Sequence, residues 1–472
     1  MRPLVLATVA SGATTLALLA APASAGQAPD AGPSAHRAAA AWTRITTGQV
    51  ANIAEAGLLR TADGVLHVAY RRDSPSAADI GFTNISAQGK VVASGTAVGG
   101  WATLPTDPKL VPAAGGGIRL VFGGLQDTDV ANPYSSGRMF SALADAAGTA
   151  WTVQPGALTQ SGYAYGSYGT GATTLADGTP VVSFPLNSTL TWNAGGAAAD
   201  GTSSFAECCL YYSSLTRTGD TVWSSFYANG SAAADQGIFV KQLLPAPGPA
   251  YQAPGSTTGG SSVAPGQAVP LVTLPDGRML TAYCMGYPTC KNVSLWVVGD
   301  ARALPVPGSR DARELALALE PSGRVWVAWS TGSGRVRFTR SASFGTTFGA
   351  VTTITPPKGA TVYSLAMAAA NGSADLVLGD GSSMFHRRVL PGLSLTASPR
   401  TWKRGKGAKV TVTVSDAGAT LKGAKVAGGG DSCTTAANGS CTLSYPAGRA
   451  KRFTVTADKA GYGDATVRLR RR

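Results

Sequence analysis

The sequence predicts an all-β chain: a β-propeller of six or seven blades, seven favoured, followed by a small β-sandwich. Three observations carry this reading. A unit of about 50 residues, made of an apolar strand, a glycine turn and a second apolar strand, recurs seven times, with turn glycines at Gly64, Gly117, Gly178, Gly219, Gly277, Gly323 and Gly372. The run after each turn (66–70, 118–122, 181–184, 222–226, 279–283, 325–329, 376–378) is built from small, β-branched and aromatic residues. Such runs suit a strand buried on both faces between stacked blades and are too short for globular helices. After residue 392 the pattern becomes a strict two-residue alternation, with Val410, Val412 and Val414 on one face, which marks a separate β-sandwich. One sandwich across the whole repeat region is disfavoured, because more than 300 residues would need several separate cores.

The elements follow in chain order. Arg2, the apolar run 4–21 and Ala23-Ser24-Ala25 have the layout of a secretory signal with a small-x-small cleavage site, so residues 1–25 are expected to be removed and the protein to be secreted without a transmembrane anchor. Residues 26–40, rich in Ala, Gly, Pro and Ser, read as a flexible leader. The propeller is assigned to 41–392. Within it, the shorter interval between Gly178 and Gly219 leaves room for a merged blade, and 41–53 is a candidate for the strand that closes the ring.

Six cysteines agree with an oxidising compartment. Cys284 and Cys290 can close one short loop, and Cys433 and Cys441 another. Cys208 and Cys209 are adjacent, which leaves a vicinal bridge or an exchange of partners with the second pair. No spacing fits a zinc site, and neither metal nor cofactor is expected.

In a propeller the ligand face is formed by the loops entering each innermost strand and by those joining second and third strands. The entering loops hold Trp101 and Asp107; Tyr163, Tyr165 and Tyr168; Glu207; and Arg310, Asp311 and Glu314. The internal loops hold Arg72 and Asp73, Asp127, and Tyr287. The three tyrosines of 161–169 alternate with small residues, so they either contact a sugar or protein or plug the channel. Asp127 and Asp129 with Asn132 offer hard oxygens for Ca²⁺, though a polar turn is the preferred reading. Glu55 also falls on the loop face, but no carboxylate pair stands out as a glycosidase pair. His67 and His386 lie on strand-like runs without a nucleophile motif and read as structural.

Residues 393–472 form the sandwich and hold most of the charge. They contain 15 Lys and Arg against four acids, a balance of +11 out of +14 for the chain. This basicity implies either a solvated surface or retention on an anionic polymer; specific nucleic-acid recognition is not supported, since aromatics are few.

Segments 57–64 (GLLRTADG), 79–83 (DIGFT) and 341–348 (SASFGTTF) resemble the Asp-box propellers of the sialidase superfamily, the last as a degenerate Asp box with Ser343 and Phe348 in place of Asp and Trp. Leu421, Gly423, Ala424, Val426, 434–439, 453–457 and 459–462 resemble bacterial Ig-like and carboxypeptidase-regulatory-like domains, which implies an appended or adhesive module. Sialidases carry Arg–Ile–Pro before the first strand, where this chain has Ala54-Glu55-Ala56, so one arginine of the carboxylate-binding triad is missing. The sequence thus favours a monomeric, secreted glycan- or envelope-binding propeller with a basic retention module. A sialidase-like glycoside hydrolase or polysaccharide lyase is the alternative, and a scaffold for protein partners a third possibility.

Overall fold

The computed structural model describes residues 41–46, 55–73, 78–104, 106–126, 137–162, 169–205, 209–256, 269–286, 289–370, 372–448 and 450–472. The signal and leader expectations therefore lie outside the described residues. Seven four-stranded antiparallel sheets follow one another along the chain. Their innermost strands are Gly57–Arg60, Lys109–Pro112, Gly171–Thr174, Leu210–Thr218, Leu271–Thr273, Ala312–Leu319 and Ser364–Ala370, which open blades 1 to 7.

Blade 7 takes its outermost strand from the other end of the chain. Thr43–Arg44 pairs with Met384–Val389, placing Thr43 opposite His386 and Arg44 opposite Phe385. The ring is thus closed by main-chain hydrogen bonds between the two ends of the propeller segment, which complete blade 7 as a four-stranded sheet.

The period-2 geometry of a strand explains the uninterrupted apolar runs. In the second strand of blade 6 (Arg324–Thr331), Val325, Val327 and Trp329 pack toward blade 5, whereas Trp326 and Ala328 pack toward blade 7. Both faces are buried, so no polar alternation is left to read. Gly64 shows why its residue type recurs at the turns, since its φ of +83° lies in the left-handed region that side-chain-bearing residues avoid. Gly57 serves a different need: a Cβ there would lie 2.5 Å from the Pro108 carbonyl oxygen, so neighbouring inner strands approach closely only because it has none.

Residues 394–471 form two sheets on one core of Val410, Val412, Val414, Leu443, Val455, Val467 and Leu469. One holds Ser394–Ser398, Ala408–Asp416, Ala419–Thr420 and Ser440–Tyr445; the other holds Thr401–Trp402, Ala465–Arg471, Arg452–Asp458, Lys425–Gly428 and Asp431–Thr434. Cys284 bonds to Cys290 and Cys433 to Cys441. Cys209 is also disulfide-bonded, with its partner outside the described residues. Among the described residues no helix is long and apolar enough to cross a membrane.

This module rests on blade 6 through a buried ion cluster. Asp416, with a side chain 1% exposed, accepts from the guanidinium groups of Arg324 (2.5 Å) and Arg340. Arg340 also pairs with Glu320 at 3.1 Å and stacks on Trp326 and on Tyr462 of the module. Burial alone would lower the Arg340 pKa; the charges of Asp416 and Glu320 outweigh it and raise it. The resembling segment 341–348 is the turn from third to outer strand of blade 6, where Thr347 Oγ1 donates to Ala417 O at 2.7 Å. The turns at Gly323 and 341–348 lie on the face opposite the strand ends that open the inner strands, so the module leaves the channel mouth clear.

Candidate functional site at the axial channel

Inner strands of all seven blades surround a cavity of about 260 Å³, lined in turn by Gly57, Leu110, Ala172, Ser214, Leu271, Leu315 and Ala366, with Glu55 and Lys109 contributing the charge. Its wall is mostly small and aliphatic because seven strands converge on one axis. Its volume falls below the roughly 300–1,000 Å³ of sites for drug-sized molecules, so it takes one small group rather than an extended oligomer.

Charged residues gather where the inner strands begin. Lys109 Nζ donates to Glu55 Oε2 at 3.2 Å, joining blades 1 and 2. Burial alone would lower the Lys109 ammonium pKa, but the negative charges of Glu55 and Asp107 outweigh it and raise it. Asp107, half-buried beside Lys109, has its carboxyl pushed up to about 6 by burial, against the opposing pull of Lys109 and Arg71. Glu314, entering blade 6, is pushed up to about 8 by burial and then by the charge of Glu55, with Arg313 opposing. Near neutral pH the mouth therefore presents a protonated acid at Glu314, a mostly ionised carboxylate at Asp107 and the Lys109 ammonium. Such a set donates and accepts hydrogen bonds at once.

Glu314 makes stability depend on pH in a definite direction. Between about pH 4.5 and pH 8 the unfolded chain has released this proton while the folded protein retains it, so stability falls as pH rises through that window. Glu314→Gln removes the effect. The variant is expected to gain on the native protein in urea melts at pH 6 and again at pH 8.5, relative to pH 4; a pH-independent difference would refute this assignment.

The other residues singled out from sequence separate into three groups. Trp101 is a correction: it is 3% exposed and packs edge-on against Phe122 and Phe140, with ring centroids 5.1 and 4.9 Å away. The outer strand of blade 1, Val91–Trp101, runs further than its glycines indicated and carries the indole into the core. Arg72 also serves the fold, its Nε donating to Asp79 Oδ1 at 2.5 Å and its guanidinium bonding to Thr96 across blade 1. Arg310 is at the periphery, 85% exposed and 4.0 Å from Asp311. Asp127, Tyr163, Tyr165, Tyr168, Glu207 and Tyr287 lie outside the described residues, as does the side chain of Asp73. Asp107 alone of the described candidates joins the channel cluster. Glu55 and Glu314 were placed on the loop face without being singled out, and Lys109 was missed; its signal is a lone Lys two residues after Asp107 at the start of an inner strand.

Both histidines are built into the fold. His67, 1% exposed, sits between Thr61 Oγ1 (3.1 Å) and Asn84 Oδ1 (2.9 Å), and burial lowers its pKa. His386 Nε2 donates to Asp375 Oδ1 at 2.6 Å.

No protein-family model and no curated protein matches the sequence. Among solved structures, the polysaccharide lyase Uly1 aligns at 10% identity with a TM-score of 0.43, covering 74% of this chain and 92% of its own. A chain of the mitotic checkpoint complex aligns at 13% identity and TM-score 0.44, covering 76% and 96%. The six-bladed fucose-binding lectin of Aleuria aurantia aligns at 12% identity and TM-score 0.40, covering 61% and 94%.

Proposed function

We propose that this protein binds a carbohydrate-type ligand at the channel mouth and is retained near an anionic surface by its basic C-terminal module. The observation that carries the first half is the Glu55–Lys109 pair lining one end of the axial cavity, with Asp107 and Glu314 close enough to feel the charge of Glu55. A polyol needs acceptors and donors within one small site, and these four groups from three blades supply both. The concentration of charge in the module supports the second half. The disulfides support export to an oxidising compartment.

A second reading is favoured by one observation. Glu314 holds a proton near neutral pH while Asp107 is largely ionised, and carboxyls pushed apart in this way are the raw material of acid–base cleavage of a glycosidic bond. One experiment separates the two. The chain is incubated with a panel of polysaccharides, soluble products are followed by mass spectrometry, and retention on the polymers is followed by co-sedimentation. Binding without products, weakened at least tenfold by Lys109→Ala, supports the binding protein. Products that vanish with Glu314→Gln support the enzyme. Retention unaffected by Lys109→Ala, with no products, removes the mouth as the site.

A further inference from the structure

We infer that the end of the C-terminal module farthest from the propeller is a docking surface for a phosphodiester polyanion, specifically a poly(alditol phosphate) chain. This deepens the retention half of the reading above and rests on it.

The surface is made by two antiparallel strands, Arg452–Asp458 and Ala465–Arg471, and by the chain beside them. Their register sets Arg452 opposite Arg470 and Thr454 opposite Arg468, and all three arginines are exposed. Like charges directly opposite one another destabilise a sheet. Arg400 and Arg404 are brought alongside, since the Arg470 N–H donates to Arg400 O at 2.9 Å and the Arg404 N–H to Arg472 O at 2.6 Å. Among the described residues none of these arginines takes part in an ion pair. Three of the module's four acids lie elsewhere: Asp416 is buried against blade 6, and Asp458 and Asp464 flank the turn at the other end, while Asp431, opposite Gly428 in the neighbouring hairpin, is engaged by the Ser444 N–H. The sequence accepts local repulsion here with no ion pair among the described residues to relieve it, a conflict expected where an external ligand supplies the missing charge.

Beneath the patch, Arg471 is 7% exposed and lies over the rings of Trp402 (5.5 Å) and Phe453 (5.0 Å), while donating to Pro446 O. This layer fixes the strands that carry the exposed arginines. Tyr445 is 2% exposed, and the half-buried rings of Trp402 and Phe453 are engaged by Arg471, so they are poorly placed for base stacking. What remains is a set of exposed arginines, with Arg468 and Arg470 two residues and so about 6.8 Å of backbone apart along one strand, and guanidinium groups bind oxyanions bidentately. A polymer with regularly spaced phosphodiesters, each carrying a full negative charge, complements this charge without needing a stacked base.

The patch also has a direction. Tyr462 and Gly463, in the turn joining the two strands, touch Asp416 and Pro391 at the propeller end. Arg452 and Arg470 are at the far end of strands seven residues long, about 20 Å away. The module sits on the face of blade 6 opposite the channel mouth, so a polymer held at the tip leaves the mouth facing away from it.

The test uses the full chain, synthetic poly(glycerol phosphate), polygalacturonate and oligothymidylate of matched charge. Arg452→Gln, Arg468→Gln and Arg470→Gln together are expected to weaken poly(glycerol phosphate) binding at least 30-fold. They should also flatten the plot of log affinity against log salt by about two units, as loss of three phosphate contacts requires. Lys422→Gln, Lys425→Gln and Lys459→Gln together remove equal charge near the other end and should change binding less than threefold; melts check that both triples fold. Equal losses in the two triples, equally tight polygalacturonate binding, or tighter oligothymidylate binding would each overturn the proposal. Lys109→Ala, which tests the mouth, should leave poly(glycerol phosphate) binding unchanged, so the two sites fail or succeed separately.

Discussion

Asp375→Ala is expected to lower the free energy of unfolding by about 3–5 kcal/mol, the cost of removing one partner from a buried ion cluster. Asp375 is fully buried on the second strand of blade 7, where it pairs with Arg60 of blade 1, with Arg388 at 3.1 Å and with His386 at 2.6 Å. Burial by itself would raise its carboxyl pKa; the His386 hydrogen bond and the charges of Arg60 and Arg388 outweigh it and hold the carboxyl below the usual carboxylate range. The contribution is therefore complete above about pH 4 and is lost as the pH falls through the depressed folded value. Urea unfolding at pH 7 and at pH 3 checks both statements: the deficit of the variant should be large at pH 7 and smaller at pH 3. Because Arg60 and Asp375 join the first blade to the last, the loss falls on ring closure. A deficit below 1 kcal/mol at pH 7 would show that main-chain pairing of Thr43–Arg44 suffices to close the ring.

Asp416→Ala is expected to cost a similar amount, about 3–5 kcal/mol, and to change the form of unfolding. It strands Arg340, 5% exposed, with Glu320 as its remaining acidic partner, and frees Arg324. Thr347 to Ala417, the Gly463 N–H to Pro391 O and the stacking of Arg340 on Tyr462 are then among the contacts left to hold the module. One calorimetric transition in the native protein should become two in the variant, with the module melting first. A single unshifted transition would mean that the ion cluster contributes nothing net to docking, as happens when desolvation cancels attraction.

Much of the propeller was legible in the sequence because burial on both blade faces leaves a continuous apolar run after each turn, and because left-handed turns select glycine. The runs at 66–70 and 325–329 fall within the second strands of blades 1 and 6, and 41–53 contains the closing strand Thr43–Arg44. Trp101 was misplaced because Gly99 and Gly100 imitate a loop, whereas only pairing with the third strand shows that the outer strand continues through them. Lys109 was invisible for a different reason: its meaning comes from Glu55, 54 residues earlier and on another blade.

The sequence by itself determined the repeat, the strand-rich class, the change of pattern after residue 392 and the concentration of positive charge in the last 80 residues, because each is a local property of spacing and composition. Tertiary structure alone decided which charges face one another. Closing the ring brings Glu55 and Lys109 to one axial cavity, with Asp107 and Glu314 within reach of their charge, and Arg60 to Asp375 across 315 residues. Folding the module gathers Arg400, Arg452 and Arg470 at its tip. Electrostatic interaction depends on distance in space and on exclusion of water, and neither is written in the order of residues along the chain.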